Sequence, residues 1–346
     1  MPYLDNFNRP ISYLRVSVTD RCNLRCVYCM PPEGVPWRPH EEILRYEEIE
    51  TVVRAAAGLG ISKVRLTGGE PLVRLGIVNL VAMLARIPGI DDLAMTTNGT
   101  LLACYAEGLK AAGLQRVNVS LDTLRPERFR RITRLGKLSD TLEGIAAAKQ
   151  AGLVPVKINT VVIRSLNDDE VVDFARLTYA PPPPIPPNFG GLGGQGATGG
   201  WHVRFIEVMP LGDNTDWAGN GYVPMSEVRE RIEGELGELI PAKLGVGGGP
   251  ARYYRLPGAQ GTVGFITPIS EHFCYQCNRL RLTADGKLRP CLLSDYEIDL
   301  RTPLRQGASA EEIKALIIEG IRNKPERHHL SEQVIPQGRA MSEIGG

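Results

Sequence analysis

Six short β-branched runs, separated by amphipathic stretches, set the narrowest limits on what this chain can become. The runs are Leu14–Thr19, Lys63–Thr67, Leu93–Thr97, Arg116–Leu121, Val156–Val162 and Val203–Val208. Between them, apolar residues recur at helical spacing over Tyr46–Leu59, Ile77–Ala85, Leu102–Ala112, Leu138–Ala151 and Asp168–Leu177. Gly60, Gly113 and Gly152 stand where three of those helices should stop, because glycine takes a left-handed cap at no steric cost. Strands reached repeatedly through helices imply right-handed βα units around a parallel sheet. The pattern leaves open whether that sheet closes partly into a barrel.

The rhythm breaks twice. Pro181–Gly200 holds six prolines and seven glycines in twenty residues, a composition that builds no packed element. It reads as a surface insertion before the sixth strand. After Trp217 come a helix at Met225–Leu236, short strands around Arg252–Leu256, Thr262–Thr267, Leu280–Thr283 and Lys287–Arg289, and a helix at Ala310–Arg322. The chain is therefore expected to divide into an α/β domain, residues 1–217, and a smaller α+β domain with an extended polar tail, residues 218–346.

Charge narrows the functions. With 40 basic against 39 acidic residues, no global field draws in nucleic acid or an anionic membrane. An anionic substrate would need a local cluster of cations. No run of about 18 apolar residues predicts a membrane span, and Met1–Pro10 has no apolar signal-peptide core. A cytoplasmic protein is expected. There, seven cysteines read as metal ligands, catalytic groups or buried thiols rather than disulfides.

Cys22, Cys26 and Cys29 form C-x3-C-x2-C directly after the first strand. Three thiolates this close can hold three irons of one 4Fe–4S cube, leaving the fourth iron open to a small molecule. Zinc would want four ligands in a closed tetrahedron, and the closest histidine is His40. The spacing, with Tyr28 before the third cysteine, resembles the radical S-adenosylmethionine superfamily. That resemblance implies reductive cleavage of S-adenosylmethionine to a 5′-deoxyadenosyl radical, the cofactor carrying the hard chemistry. Thr67-Gly68-Gly69-Glu70-Pro71, at the end of the second strand, resembles the superfamily motif for the cofactor's amino group. Ser120 ends the fourth strand and Met209 follows the sixth, where parallel α/β sheets build sites.

A second triplet, Cys274, Cys277 and Cys291, makes C-x2-C-x13-C. With His272 nearby, the residues alone leave zinc and iron–sulfur open. The remaining thiol, Cys104, falls in a helical pattern and is expected in the core.

Both triplets together, with Asn278-Arg279-Leu280-Arg281 after the second, resemble the GTP 3′,8-cyclase family. The likeness extends over Arg15-Val16-Ser17-Val18-Thr19-Asp20, Thr96-Thr97-Asn98-Gly99, Asn118-Val119-Ser120-Leu121-Asp122, Val156-Lys157-Ile158-Asn159-Thr160, Arg204-Phe205-Ile206-Glu207-Val208-Met209 and the terminal Gly345-Gly346. It implies a partial (βα)6 barrel with parallel strands plus a smaller C-terminal α+β domain. It implies two 4Fe–4S clusters, held by Cys22, Cys26 and Cys29 and by Cys274, Cys277 and Cys291. S-adenosylmethionine would sit on Tyr28, Gly69, Ser120 and Met209, and GTP on Arg15, Arg65, Thr96, Lys157, Arg279 and Arg281. The guanine end would lie on the second cluster. The implied reaction takes hydrogen from the ribose 3′ carbon and joins that carbon to guanine C8, giving 3′,8-cyclo-7,8-dihydro-GTP for molybdenum cofactor synthesis. Gly345 and Gly346 would reach into the catalytic cavity. The implied partners are an electron donor of flavodoxin or ferredoxin type, molybdenum cofactor biosynthesis protein C as the taker of product, and a second copy in a homodimer.

Overall fold

The protein is seen here as a computed structural model that describes residues 2–179, 200–211, 220–245, 249–332, 335–336 and 338–345. A small antiparallel pair, β1 (Tyr3–Leu4) and β2 (Pro10–Ile11), precedes the main sheet. Six strands then follow in chain order, each parallel to the next: β3 (Tyr13–Ser17), β4 (Lys63–Thr67), β5 (Asp92–Thr97), β6 (Arg116–Ser120), β7 (Lys157–Val162) and β8 (His202–Glu207). The crossovers carry α1 (Tyr46–Gly58), α2 (Ile77–Ala85), α3 (Leu102–Ala111), the pair α4 (Pro126–Thr133) and α5 (Leu138–Gln150), and α6 (Val171–Arg176). This is the expected partial barrel of parallel strands.

The C-terminal part adds α7 (Met225–Leu236), β9 (Ile240–Ala242), β10 (Arg252–Arg255) and β11 (Thr262–Ile266) at one edge, with β11 parallel to β8. At the other edge β12 (Arg279–Leu282) lies parallel to β3, followed by β13 (Lys287–Arg289) and β14 (Ile298–Asp299). Two helices, α8 (Arg301–Arg305) and α9 (Ala310–Arg322), complete it. The two flanks thus extend one 12-stranded sheet.

Side-chain alternation decides what each face of that sheet does. Leu14 and Val16, Val64 and Leu66, Val117 and Val119, Val203 and Phe205, and Leu280 and Leu282 all enter the apolar core. Their alternates Arg15, Arg65, Asn118, Arg204 and Arg281 turn to the opposite face and line one cavity. Burying each of those apolar side chains contributes about 1.5–3 kcal/mol, which holds the polar face in place.

Helix stops fall where glycine allows them: Gly60, Gly113 and Gly152 have φ of 83°, 104° and 76°. The expected Asp168–Leu177 helix is a 3-10 turn at Asp168–Glu170 running into α6. One expectation is corrected. Cys104 is exposed, not core, because α3 buries Leu102, Ala106 and Leu109 and position 104 faces the other way. The proline- and glycine-rich insertion lies outside the described residues except for Gly200. Among the described residues, no helix is long and apolar enough to cross a membrane.

Candidate active site

A cavity of about 340 Å³ opens on the polar face of the sheet. Sheet register explains its contents. Arg281, Arg15 and Arg65 are direct partners on β12, β3 and β4. A second row runs Thr96, Asn118, Lys157 across β5, β6 and β7. A third runs Ser120, Asn159, Arg204 and Gly264 across β6, β7, β8 and β11. A Cβ on Gly264 would stand 3.1 Å from Arg204 Cγ and from Tyr253 Cδ1, so glycine leaves those two side chains their room.

Three neighbouring strands that each offer an arginine at one level repel one another and invite an anion. Burial, then Arg65, Arg279 and Arg204, depress the Arg15 guanidinium to about 10, against the attraction of Tyr13. Lys157 is pushed down to about 7, by burial first and then by Arg204, Arg116 and Arg65. Donors are left over: Arg65 Nη1 and Arg204 Nε and Nη2 are buried with no hydrogen-bond partner. So are the acceptors Asn118 Oδ1 and Asn159 Oδ1. A buried donor without a partner costs about 1–3 kcal/mol, which a polyanionic ligand would recover.

The first triplet sits on the loop after β3. Arg25 N donates to Thr133 O at 2.9 Å and Val27 N to Ile132 O at 3.0 Å, fastening the loop to the end of α4. The Gly68-Gly69 turn packs on the same loop. Gly69 N donates to Thr19 O at 2.8 Å and Glu70 N to Arg21 O at 2.9 Å. A Cβ on Gly69 would fall 2.3 Å from Arg21 O, so the glycine is needed for packing on the cysteine loop while it also lines the cavity. Glu70, buried and raised to about 7 by that burial against three hydrogen bonds, organises the next loop. It accepts from Thr97 Oγ1 at 2.8 Å and Asn98 N at 2.7 Å. Tyr28 donates to Asp122 Oδ2 at 2.5 Å, and Asp122 also takes Val161 N at 2.8 Å, so the tyrosine is held by the chain just after β6 and, through it, by β7.

Burial pushes the Cys22 thiol up to about 11, the Cys29 thiol up to about 12 and the Cys26 thiol well above its ordinary value, the neighbouring thiols adding to it at Cys26 and Cys29. Three close thiols that resist ionising on their own are what a cationic iron centre would relieve. Among the described residues no three His, Cys, Asp or Glu side chains converge as a single metal ion would need. A four-iron cube asks for something else: one thiolate on each of three separate irons.

The second triplet shares the cavity with the first, all six cysteines lining it. Arg9 Nη1 holds Cys274 O at 2.8 Å, and Lys324 Nζ holds Arg279 O at 2.9 Å. Burial alone would raise the Cys277 thiol; Arg279 and Lys324 outweigh it and bring it down to about 6. Arg279 Nη2 lies 3.8 Å from Cys277 Sγ. His272 lines the cavity too, with its ring 5.7 Å from that of His328. Glu207, fully buried at the end of β8, accepts from Ile269 N at 2.9 Å and Ser270 N at 3.1 Å, which ties this loop to the barrel.

Every expected ligand residue in the described chain meets here. Tyr28, Gly69, Ser120, Met209, Arg15, Arg65, Thr96, Lys157, Arg279 and Arg281 all line the cavity. Gly345 lies against it: its carbonyl accepts from Arg15 Nη2 at 3.0 Å, Thr67 Oγ1 at 3.3 Å and Arg281 Nη1 at 3.3 Å. Gly346 lies outside the described residues. Sequence reasoning missed Arg204, Asn118 and Asn159 as ligand candidates. Their signal was present: polar residues at the inward positions of strands already identified.

The chain matches the Radical SAM superfamily over residues 16–178 and Molybdenum Cofactor Synthesis C over residues 201–330. SuiB of Streptococcus suis bound to S-adenosylmethionine shares the fold, with a TM-score of 0.54 at 13% identity over 89% of this chain and 69% of that one. The GTP 3′,8-cyclase of Pelotomaculum thermopropionicum is 58% identical over 99% of both chains. That of Desulforamulus reducens is 52% identical over 99% of this chain and all of its own. Full-length identity at this level, with both cysteine triplets on one cavity, makes the chain a member of the GTP 3′,8-cyclase family of radical S-adenosylmethionine enzymes.

Proposed function

We infer that this protein converts GTP to 3′,8-cyclo-7,8-dihydro-GTP, the opening step of molybdenum cofactor synthesis. One observation carries the reading: two cysteine triplets line one cavity over a sheet face that presents Arg281, Arg15 and Arg65 side by side. Cys22, Cys26 and Cys29 would hold one 4Fe–4S cluster with an open iron, and Cys274, Cys277 and Cys291 a second. When bound, the first cluster and S-adenosylmethionine supply one electron and the 5′-deoxyadenosyl radical.

This chain's own side chains position and shield. Tyr28, fixed by Asp122, with Gly69, Ser120 and Met209, holds S-adenosylmethionine at the first triplet. GTP carries about four negative charges, which demand several converging cations. Arg15, Arg65, Lys157 and Arg281 answer that demand from one face, with Arg204 beside them and Thr96 on the row of Lys157. Arg279, against Cys277, and the second triplet take the guanine end. The ribose then lies between the triplets. Residues 1–217 are the cofactor-binding domain and 218–346 the guanine-binding one in this reading. A flavodoxin- or ferredoxin-type donor, transfer of product to molybdenum cofactor biosynthesis protein C, a homodimer and a cytoplasmic setting belong to the same proposal.

Anaerobically reconstituted protein given S-adenosylmethionine, GTP and a reductant should yield the cyclised nucleotide and 5′-deoxyadenosine together. Iron should be about eight per chain, on the order of four per cluster, and halve in Cys22→Ala/Cys26→Ala/Cys29→Ala. Stoichiometric zinc at the second triplet, or 5′-deoxyadenosine without cyclised GTP, would overturn the assignment.

A further inference from the structure

The last described segment of the chain is fastened more firmly than a frayed end requires. Arg339, its side chain 8% exposed, donates through Nε to Glu297 Oε1 at 2.6 Å. Its Nη1 and Nη2 reach Asp285 Oδ1 at 3.0 Å and Oδ2 at 2.9 Å, and Nη2 also reaches Glu297 Oε2 at 2.9 Å. Asp285 lies in the turn between β12 and β13, and Glu297 just before β14. Charge-assisted bonds on both carboxylates fix the arginine in place as well as in energy. Arg38 adds a second tie, donating through Nη2 to Glu343 Oε1 at 3.1 Å, while Glu343 Oε2 accepts from Ala340 N at 2.9 Å.

Beyond these ties the segment enters the cavity. Ser342 is 2% exposed and lines the cavity with Cys29, its backbone amide close enough to that sulfur to favour the thiolate against burial. Ile344, 1% exposed, packs with Leu211 and Leu293. Three residues after Ser342, the Gly345 carbonyl takes its bonds from Arg15, Thr67 and Arg281. One short stretch therefore touches the first cysteine triplet and the arginine row at once.

We propose that Arg339 is a positioning residue: held by Asp285 and Glu297, it seats the C-terminal segment so that the Ser342 amide reaches Cys29 and the Gly345 carbonyl reaches Arg15 and Arg281. The first of these contacts bears on electron transfer, because a hydrogen bond to a cluster sulfur stabilises the more negative, reduced cluster. That half rests on the reading of the first triplet as a cluster site. The second contact bears on where the substrate cations point and does not depend on iron.

The test compares full-length wild type, Arg339→Met, Arg339→Lys and Glu343→Gln, which weakens the more exposed tie through Arg38 and the neighbouring bond from Ala340 N while leaving Arg339 in place. Amide exchange of residues 341–345 is measured in iron-free and reconstituted protein. The midpoint potential is read by EPR in a Cys274→Ala/Cys277→Ala/Cys291→Ala background, where only the first triplet contributes. In Arg339→Met the tail amides should exchange at least about tenfold faster. The potential should move negative, and kcat should fall by more than KM for GTP rises, with partial recovery in Arg339→Lys and a smaller effect in Glu343→Gln. Unchanged exchange in Arg339→Met at normal melting temperature would overturn the proposal. Faster exchange with potential, kcat and KM all unchanged would reduce the tie to a structural one and also overturn it. If wild type takes up no iron at the first triplet, the cluster reading fails by itself, and exchange in the iron-free protein still decides the positioning.

Discussion

Replacing Arg15 by methionine should make the nucleotide-free protein more stable while it destroys nucleotide binding. Arg15 is the middle of the row, with Arg281 on one side and Arg65 on the other. Neighbouring strands lie about 4.8 Å apart. At that spacing two unit charges repel by about 3.5 kcal/mol at an effective dielectric constant near 20. Two such pairs set a ceiling of about 7 kcal/mol. Splaying of the long side chains and ions in the open cavity reduce it, and about 1–2 kcal/mol is a reasonable remainder. Methionine keeps much of the arginine's volume, and the Gly345 carbonyl retains Thr67 and Arg281 as donors. For a chain of this size the gain corresponds to about 1–3 °C in melting temperature. Anaerobic differential scanning fluorimetry, with and without GTP, reads both halves. Wild type should gain stability with ligand according to the ratio of concentration to Kd, and Arg15→Met should start higher and gain little. A variant that melts below wild type in nucleotide-free buffer would refute the stored repulsion. One that still gains as much from GTP would remove Arg15 from the binding site.

Other expectations concern single features. Lys157 sits near 7 in the folded site against about 10.4 in an unfolded chain, so the folded state sheds its proton first. Between about pH 7 and 10 the unfolded state binds more protons, and this group's contribution to stability rises with pH. GTP needs the ammonium, so its Kd should climb above pH 7 by up to about tenfold per unit, and Lys157→Arg should flatten that rise in a titration by isothermal calorimetry. Gly345→Ala should leave iron content and melting temperature unchanged yet lower cyclised product by at least about tenfold. Its φ is 75° and a Cβ would fall 2.8 Å from Thr67 Cγ2; normal anaerobic turnover would show that the tail is not needed. Deleting residues 182–199 and joining the ends with a short linker should leave turnover within about twofold. The flanks are already tied, Trp201 N to Leu177 O at 2.9 Å, and lost cyclisation at full iron content would make the insertion functional.

The barrel was legible because its six strands are β-branched and its helices end on glycine. Ile77–Ala85, Met225–Leu236, Lys287–Arg289 and Ala310–Arg322 match the observed elements residue for residue. α4 was missed: Pro-Glu-Arg-Phe-Arg-Arg-Ile-Thr buries only Phe129, Ile132 and Thr133, too short an apolar stripe to register against four charges. β1, β2 and β14 are two residues each, and only their partners define them. That β12 would pair with β3, and β11 with β8, is information held in no local window. The cysteine triplets could be picked out directly because chemistry fixes their type and spacing, whereas the cations stood out only through the family resemblance. Arg204 and the two asparagines could not be ranked until register placed them beside Lys157 and Ser120.

That long-range pairing also sets an order of construction. β3 finds its outer neighbour only after Arg279–Leu282 has been made, and parallel pairing across such a span is slow. Until then the loop of Cys22, Cys26 and Cys29, immediately beyond β3, lacks the wall that Cys274, Cys277 and Cys291 later complete. The nascent protein therefore holds its first three thiols in a half-built vessel, open to iron and sulfide delivery and equally open to oxygen, until its own C-terminal strands close the side.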